Sequence, residues 1–279
     1  MPETALVALD RFRAADWAPD VAVALARKLQ VSLRMAYVVD EAGLEAPIPE
    51  HHAGVMVRRT FRGTEREWEL TGQAWLELQE YVSACDAAGV SHAVEVYVGD
   101  PRSIWVAQAR SCDLVMIPAA ETDFKGWKKR FSNLHWILAE HSMRPVLIFH
   151  PDGCPENGIE FFYSNHRVSA RSLPWVAALQ ARLGGSLHVF TNKGSLWNHV
   201  SDAECRRFLD QHGIRAQFPT TSVMARLGER MGSGGAQDLG GRPLLILDGG
   251  FRKGFCLQKH RRLVSHLIRH SNHCIVLCA

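Results

Sequence analysis

Short apolar runs recur along the first half of the chain, separated by stretches in which apolar residues follow a helical period. The runs are nearly continuous in apolar residues, which is typical of strands buried on both faces, as in a parallel sheet. The order β-α-β-α-β-α-β-α-β therefore predicts a doubly wound α/β sheet. The predicted strands are 5–9, 33–39, 94–98, 114–117 and 146–149, and the predicted helices are 17–29, 64–87, 101–110 and 128–143.

The same pattern recurs in the second half. The segment LARKL at 25–29 matches LQARL at 179–183, and Leu33 matches Leu187, each 154 positions apart. An internal repeat of this length indicates two copies of one α/β unit. The second copy has predicted strands at 159–163, 187–190, 216–218, 244–247 and 275–277, and predicted helices at 173–183, 197–212, 223–231 and 255–270.

The two copies differ in length. The first contains an additional segment, 41–63, which we interpret as a loop before its second helix. A run of turn-forming residues, PDGCPEN at 151–157, separates the copies. We therefore predict two domains, 1–150 and 158–279, joined by the linker 151–157.

Several segments of the first copy resemble universal stress proteins. The most specific is VGDP, followed by a short helix and then by a strand beginning DLVMI. The resemblance covers residues 4–150 and extends to 158–279 through the repeat. The matching segments are ALVALD (5–10), LRMAYVVD (33–40), VGDP (98–101), DLVMIPA (113–119) and RPVLIFH (144–150).

This resemblance implies a tandem pair of universal-stress-protein-like domains, each a five-stranded parallel sheet of order 3-2-1-4-5 with helices on both faces. In this family units pair through their fifth strands. The resemblance therefore implies that the two halves pack as a pseudo-dimer. Strands 146–149 and 275–277 would then run antiparallel side by side.

The resemblance also implies a site for ATP after strands 1, 2 and 4 of the first half. Members that bind ATP have an aspartate after strand 1, a backbone contact on strand 2 and the loop G-x-x-G-x9-G-S/T after strand 4. Glycines let the backbone approach phosphate groups, and helix N-terminal amides hold the anion. All three glycines are absent here, and the second half has lost the aspartate as well. The corresponding residues of the first half are Asp10, Val38, Ala119, Thr122, Ser132 and Asn133.

The connection from strand 4 to helix 4 is basic in both halves. Cations at a helix start oppose the helix dipole, and a bound anion would compensate them. We predict a weak anion site in each half, while a solvated basic face is the alternative explanation. The residues are Lys125, Lys128, Lys129 and Arg130 in the first half, and Arg252, Lys253, Arg261 and Arg262 in the second.

Charge is divided unevenly over a chain whose net charge is +3. Residues 1–157 sum to about −6 and residues 158–279 to about +9, so the halves either attract each other or the second meets an anionic partner. The seven cysteines form no CxxC pair and follow cytosolic usage. No secretory signal or membrane-length apolar run is present, and we expect a cytoplasmic protein that inserts into no membrane and binds no nucleic acid.

The function implied by the resemblance is that of a stress-response binding or regulatory protein that senses an adenine nucleotide or another anion. One alternative is a scaffold that binds no nucleotide and docks onto an enzyme or a transporter; another is an adenine-nucleotide-using enzyme of similar fold. A homodimer is a further option. We predict no catalytic residue, because no P-loop, HExxH or G-x-S-x-G context occurs. Histidines and cysteines near the C-terminus, such as His266 and His270, differ in helical phase from Cys256 and His260, and we predict no metal site.

Overall fold

The computed structural model describes most of the chain, and the fold is given for those residues. They form two compact units, Pro2–Arg144 and Pro145–Ala279, called the first and second units below. The described ranges are 3–9, 17–40, 65–119, 134–151, 155–156, 158–163, 169–191, 202–232, 242–248, 264–268, 271 and 273–278.

The first unit contains a parallel sheet in the order β3-β2-β1-β4. Every residue of β1 after Thr4 is buried, as a continuous apolar run predicts for a strand covered on both faces. The strands are β1 (Thr4–Leu9), β2 (Ser32–Asp40), β3 (His92–Gly99) and β4 (Leu114–Pro118), and the helices are α1 (Ala18–Leu29), α2 (Glu65–Ala88), α3 (Pro101–Arg110) and α4 (Leu134–His141).

The second unit contains six described strands in the order β5-β10-β9-β6-β7-β8. Neighbours are parallel except for β5 and β10. A 3-10 turn, Ser169–Ser172, leads into the first helix of this unit, and residues 264–268 are also helical. The strands are β5 (Val146–Phe149), β6 (Gly158–Tyr163), β7 (Ser186–Thr191), β8 (Ala216–Gln217), β9 (Leu244–Leu247) and β10 (Ile275–Leu277), and the helices are α5 (Leu173–Leu183), α6 (Asp202–Gln211) and α7 (Val223–Gly232).

The predicted fold class is confirmed. The second copy shows the full order 3-2-1-4-5 as β8-β7-β6-β9-β10, and the first copy shows 3-2-1-4 as β3-β2-β1-β4. The two fifth strands pair antiparallel, as the pseudo-dimer prediction requires. Their register joins Ile148 to Ile275 and Val146 to Leu277.

The boundary between the compact units falls before β5, at Arg144–Pro145. Because β5 pairs with β10, the fifth strand of the first repeat is part of the compact unit formed by the second. The boundaries 1–150, 151–157 and 158–279 describe the sequence repeat and stay a prediction.

Helix α4 ends earlier than the predicted helix 128–143. Ser142 still donates its backbone N–H to the carbonyl of Leu138, at 3.0 Å. Met143 then adopts a left-handed conformation, with φ of 59°, which ends the helix. Pro145 follows immediately, so the chain enters β5 without another helical turn.

The VGDP segment ends β3 and begins α3. The side chain of Asp100 is the N-cap: its Oδ2 accepts hydrogen bonds from the backbone N–H of Ser103 at 3.0 Å and from the Ser103 hydroxyl. Pro101 occupies the first turn, where its missing N–H costs nothing. The Ser103 hydrogen bonds hold the pKa of Asp100 below the ordinary aspartate value.

Replacing Asp100 by alanine should lower the free energy of unfolding of the first unit by about 1 kcal/mol, because the cap of α3 is lost. Asp100→Asn keeps a capping oxygen and is the matched control. Since the pKa is depressed, the charge-dependent part of this stability is present at neutral pH and is lost as pH falls through the folded-state pKa. Denaturant titrations at neutral and acidic pH measure both effects. Equal midpoints for the alanine and asparagine variants would contradict the capping role.

Candidate functional site

Strand order reverses at β1 in the first unit. β2 and β3 extend to one side of β1, and the chain then crosses to β4 on the other side. Open α/β sheets bind ligands in the crevice that such a reversal leaves at the carboxyl ends of the strands. This edge of the first unit is therefore the candidate site that the sequence predicts.

Two of the predicted nucleotide-site residues lie at this edge in the described structure. Leu9, the last residue of β1, pairs with Tyr37, and Val38 comes next on β2. The Val38 side chain is buried, so its backbone is the part that can face a ligand, as the resemblance implies. Ala119 is half-buried and directly follows β4.

The other predicted site residues lie outside the described residues, and their roles stay predictions. They belong to both the nucleotide and the anion predictions. They are Asp10, Thr122, Ser132, Asn133, Lys125, Lys128, Lys129, Arg130, Arg252, Lys253, Arg261 and Arg262.

In the second unit, the carboxyl ends of four neighbouring strands bear polar side chains at one level. Thr191 pairs with Tyr163 across β7 and β6. The register of β6 and β9 places Phe162 opposite Leu247, so the next residues, Tyr163 and Asp248, also lie opposite each other. The backbone N–H of Asp248 donates to the Phe162 carbonyl at 3.3 Å. On the other side of β9, Cys278 follows Leu277 of β10 and donates its N–H to the Leu247 carbonyl at 2.9 Å. We call Thr191, Tyr163, Asp248 and Cys278 the polar row.

All four side chains of the polar row are buried, with at most 3% of their surface exposed. The first turns of α6 contribute two more groups. The Thr191 hydroxyl donates to Asp202 Oδ2 at 3.2 Å, and Cys205 is completely buried. Threonine and aspartate are mostly exposed in proteins, so the burial of Thr191 and Asp248 is unusual.

The surroundings of Tyr163, in the polar row, and of Cys205, beside it, favour the protonated form of each side chain. Burial, followed by the charge of Asp202, raises the pKa of Cys205 to about 12. Burial also raises the pKa of Tyr163, and Cys205 and Asp248 add to the shift. The phenol and thiol are therefore neutral at physiological pH.

Within the described part of the chain, the hydroxyl of Tyr163 has no hydrogen-bond partner, although the side chain is fully buried. A buried hydroxyl without a partner costs about 1–3 kcal/mol relative to one that is satisfied. Sequence reasoning missed this residue because 159–163 was interpreted as a plain apolar strand. The available signal was a phenol and a carboxylate, Tyr163 and Asp248, ending the first and fourth strands of one repeat.

A buried ion cluster in the second unit was missed as well. Glu160, on β6, is 2% exposed and contacts two arginines of α7. Arg226 Nη2 and Arg230 Nη2 lie 2.5 and 2.6 Å from Glu160 Oε1, and Arg230 Nε lies 3.1 Å from Oε2. Arg226 also pairs with Glu229, at 2.7 Å. The signal was a glutamate inside an apolar strand, with arginines spaced i, i+4 on a later helix.

Another polar cluster joins β2, β3 and α3 of the first unit. Arg34 Nε donates to Glu95 Oε2 at 2.8 Å, and its two terminal nitrogens donate to Ser111 and to Gln108 at 2.7 and 2.6 Å. Tyr97 donates to the same Glu95 carboxylate. Each of these three nitrogens of Arg34 therefore has a protein partner. The cluster connects α3 to the sheet.

Neither a metal centre nor a membrane segment is present in the described part of the chain. Within those ranges, no three histidine, cysteine, aspartate or glutamate side chains come together as a ligand set. Among the helices described for this chain, none combines the length and the apolar character needed to cross a bilayer. Four histidines and cysteines near the C-terminus have the i, i+4 spacing of helical metal ligands. Of these four, only His266 lies within the described residues.

Comparison with known proteins gives matches among solved structures. No protein-family model matches the chain, and no curated protein matches it. A universal stress protein from Archaeoglobus fulgidus superposes with a TM-score of 0.67 at 15% identity, covering 98% of this chain and 95% of its own. A putative universal stress protein from Pseudomonas aeruginosa gives a TM-score of 0.54 at 14% identity, with 99% and 93% covered.

A functionally unknown protein, also from Pseudomonas aeruginosa, is similar to the same extent, with a TM-score of 0.53, 14% identity and coverage of 99% and 92%. The likeness spans both repeats in each case. At these identities it concerns the fold, and it agrees with the strand order observed in each copy. The chain therefore has the universal stress protein fold, repeated in tandem along its full length.

Proposed function

We propose that the chain is a stress-response binding or regulatory protein that senses an adenine nucleotide at the first-unit site. The observation that supports this most directly is the reversal of strand order at β1, in a fold shared over the full length with universal stress proteins. Such a reversal provides the crevice in which open α/β sheets bind ligands. The protein would signal through a ligand-dependent change in its binding surface and would require no catalytic group.

In this proposal, Asp10 accepts hydrogen bonds from the nucleoside, and the Val38 backbone borders it. Side chains replace the missing glycines after β4, so the phosphates meet Ala119 and Thr122 instead of bare backbone. Thr122, Ser132 and Asn133 donate hydrogen bonds in place of some of the lost amides, and nearby lysines supply positive charge. A ligand with fewer phosphates than ATP would need fewer of the lost backbone contacts.

Titration calorimetry with ATP and with AMP tests the proposal. Replacing Asp10 by alanine should weaken binding by about tenfold or more, because a hydrogen bond to a charged acceptor is lost. Asp20→Ala is the matched control: Asp20 is an exposed aspartate in the first turn of α1, and its removal should leave the isotherm unchanged.

Two results would contradict the nucleotide proposal. Heat that is unaffected by Asp10→Ala would place the ligand elsewhere in the chain. An absence of heat with either nucleotide, together with no nucleotide in the mass spectrum of heat-denatured protein, would favour the scaffold alternative, in which both crevices are empty and the chain docks onto another protein.

A further inference from the structure

The polar row of the second unit lies at the carboxyl ends of β7, β6, β9 and β10. Registered residues of neighbouring parallel strands point to the same face of a sheet. Thr191, Tyr163, Asp248 and Cys278 therefore line one face, at the point where strand order reverses between β6 and β9. In an open α/β sheet this is the position at which ligands bind.

The polar row and the adjoining Asp202 offer mainly hydrogen-bond acceptors. Asp248 and Asp202 provide carboxylate oxygens, and Thr191 already uses its proton on Asp202, at 3.2 Å. Among the described residues, the buried Tyr163 hydroxyl makes no hydrogen bond, so its lone pair and its proton are available to a ligand. An arrangement that only filled the core would gain stability by ending β6 with phenylalanine, since the hydroxyl is desolvated without a partner.

Among the described residues, three carboxylates act on the hydroxyl. Burial is the main cause of the raised pKa of Tyr163, and the charges of Cys205, Asp248, Glu204 and Asp202 add to it. Asp202 and Asp248 raise the pKa of Cys205 as well, and Arg206 opposes them. A negative potential in a buried site favours a cation and repels a phosphate group.

We propose that the second unit binds a small organic cation whose primary ammonium group is held by Asp248 and the Tyr163 hydroxyl. An ammonium group offers three donors, which match two carboxylates and one phenol oxygen. Charge-assisted hydrogen bonds of this kind are about twice as strong as neutral ones. This proposal competes with the anion prediction for Arg252, Lys253, Arg261 and Arg262, which follow β9 at the same edge. It is independent of the nucleotide proposal, because its residues belong to the second unit.

Three probes of equal chain length separate charge from shape: putrescine, a diamine; 1,4-butanediol, its neutral analogue; and succinate, its anionic analogue. Calorimetry and thermal unfolding are measured with each at low ionic strength, because screening weakens ionic contacts. We expect putrescine to bind and to raise the unfolding temperature. Butanediol and succinate should produce no shift.

Variants connect the effect to the polar row. Asp248→Asn removes the charge at constant shape and should weaken putrescine binding by about tenfold or more. Tyr163→Phe should weaken it several-fold while leaving the ligand-free protein at least as stable, because the lost hydroxyl has no partner in the free state. Asp210→Asn is the matched control, since Asp210 is exposed near the end of α6, and it should change nothing.

Each remaining outcome counts against the proposal. Equal shifts with putrescine and butanediol would show that charge is irrelevant, and a shift with succinate would show the opposite preference. Putrescine binding that survives Tyr163→Phe and Asp248→Asn would be adventitious surface binding. If Asp248→Asn fails to fold, Tyr163→Phe decides alone: a destabilised ligand-free protein would show that the hydroxyl is structural, and the proposal would be wrong.

Discussion

Replacing Glu160 by leucine should lower the free energy of unfolding of the second unit by about 3–5 kcal/mol, the cost of removing one partner from a buried ion pair. Glu160 and Arg230 are 2% and 6% exposed. Without the carboxylate, Arg230 keeps a buried charge whose contacts at 2.6 and 3.1 Å are lost. Arg226 loses one partner and retains Glu229.

A compensating variant tests whether the loss comes from the uncompensated charge. Combining Glu160→Leu with Arg226→Met and Arg230→Met should recover most of the stability, because apolar replacements of buried ion clusters are often neutral or stabilising. Hydrogen exchange of β6 and β7 amides under increasing urea reports on this unit separately from the first. A triple variant as unstable as Glu160→Leu would show that volume, and not charge, is responsible.

The same ion cluster should make the stability of the second unit fall at acidic pH. Burial by itself raises the pKa of Glu160, but hydrogen bonds from Arg230 and Arg226 outweigh it and leave the pKa below its ordinary value. A depressed folded-state pKa means that the stability is present above the unfolded-state pKa and is lost as pH falls through the folded one. The Glu160→Leu variant should therefore show a shallower loss of second-unit stability on acidification than the natural chain.

Replacing Gly158 by alanine should lower the free energy of unfolding by about 3 kcal/mol or more, because the residue is both strained and crowded. Gly158 begins β6 with φ of 104°. A β-carbon there would stand 2.1 Å from the carbonyl oxygen of Ser186 and 2.7 Å from its nitrogen. These atoms belong to the backbone of the paired strand β7, so the strands would have to separate.

Gly184→Ala is the matched control for Gly158→Ala. Gly184 also has a positive φ, 65°, but a β-carbon there would meet nothing within 4 Å, so only the conformational cost of about 1–2 kcal/mol applies. Hydrogen exchange of the β6 and β7 amides under increasing urea measures the loss of unfolding free energy for both variants. Equal losses of unfolding free energy for the two variants would contradict a contribution from the close approach of Ser186.

The order of elements was predictable because it depends on local patterns. Apolar runs of three to seven residues became strands whose ends agree within two residues, and for β5 and β9 both ends agree. The repeat at a separation of 154 positions recovered the second copy. The VGDP segment was identified from its sequence alone. The structure shows its physical role, because Asp100 caps α3. The antiparallel pairing of β5 and β10 came from the family resemblance, since no local pattern states which edges meet.

The sequence by itself determined the class of fold, its tandem repetition and the loss of the glycines around Ala119, because helix and strand periods and the turn residues are encoded within a few positions of each other. Only the tertiary structure decided which polar side chains come together. Glu160 meets Arg230 across 70 positions, and Tyr163 comes level with Asp248 through the register of β6 and β9. Such contacts depend on strand register and helix placement, in which a shift of one residue reverses the face a side chain occupies.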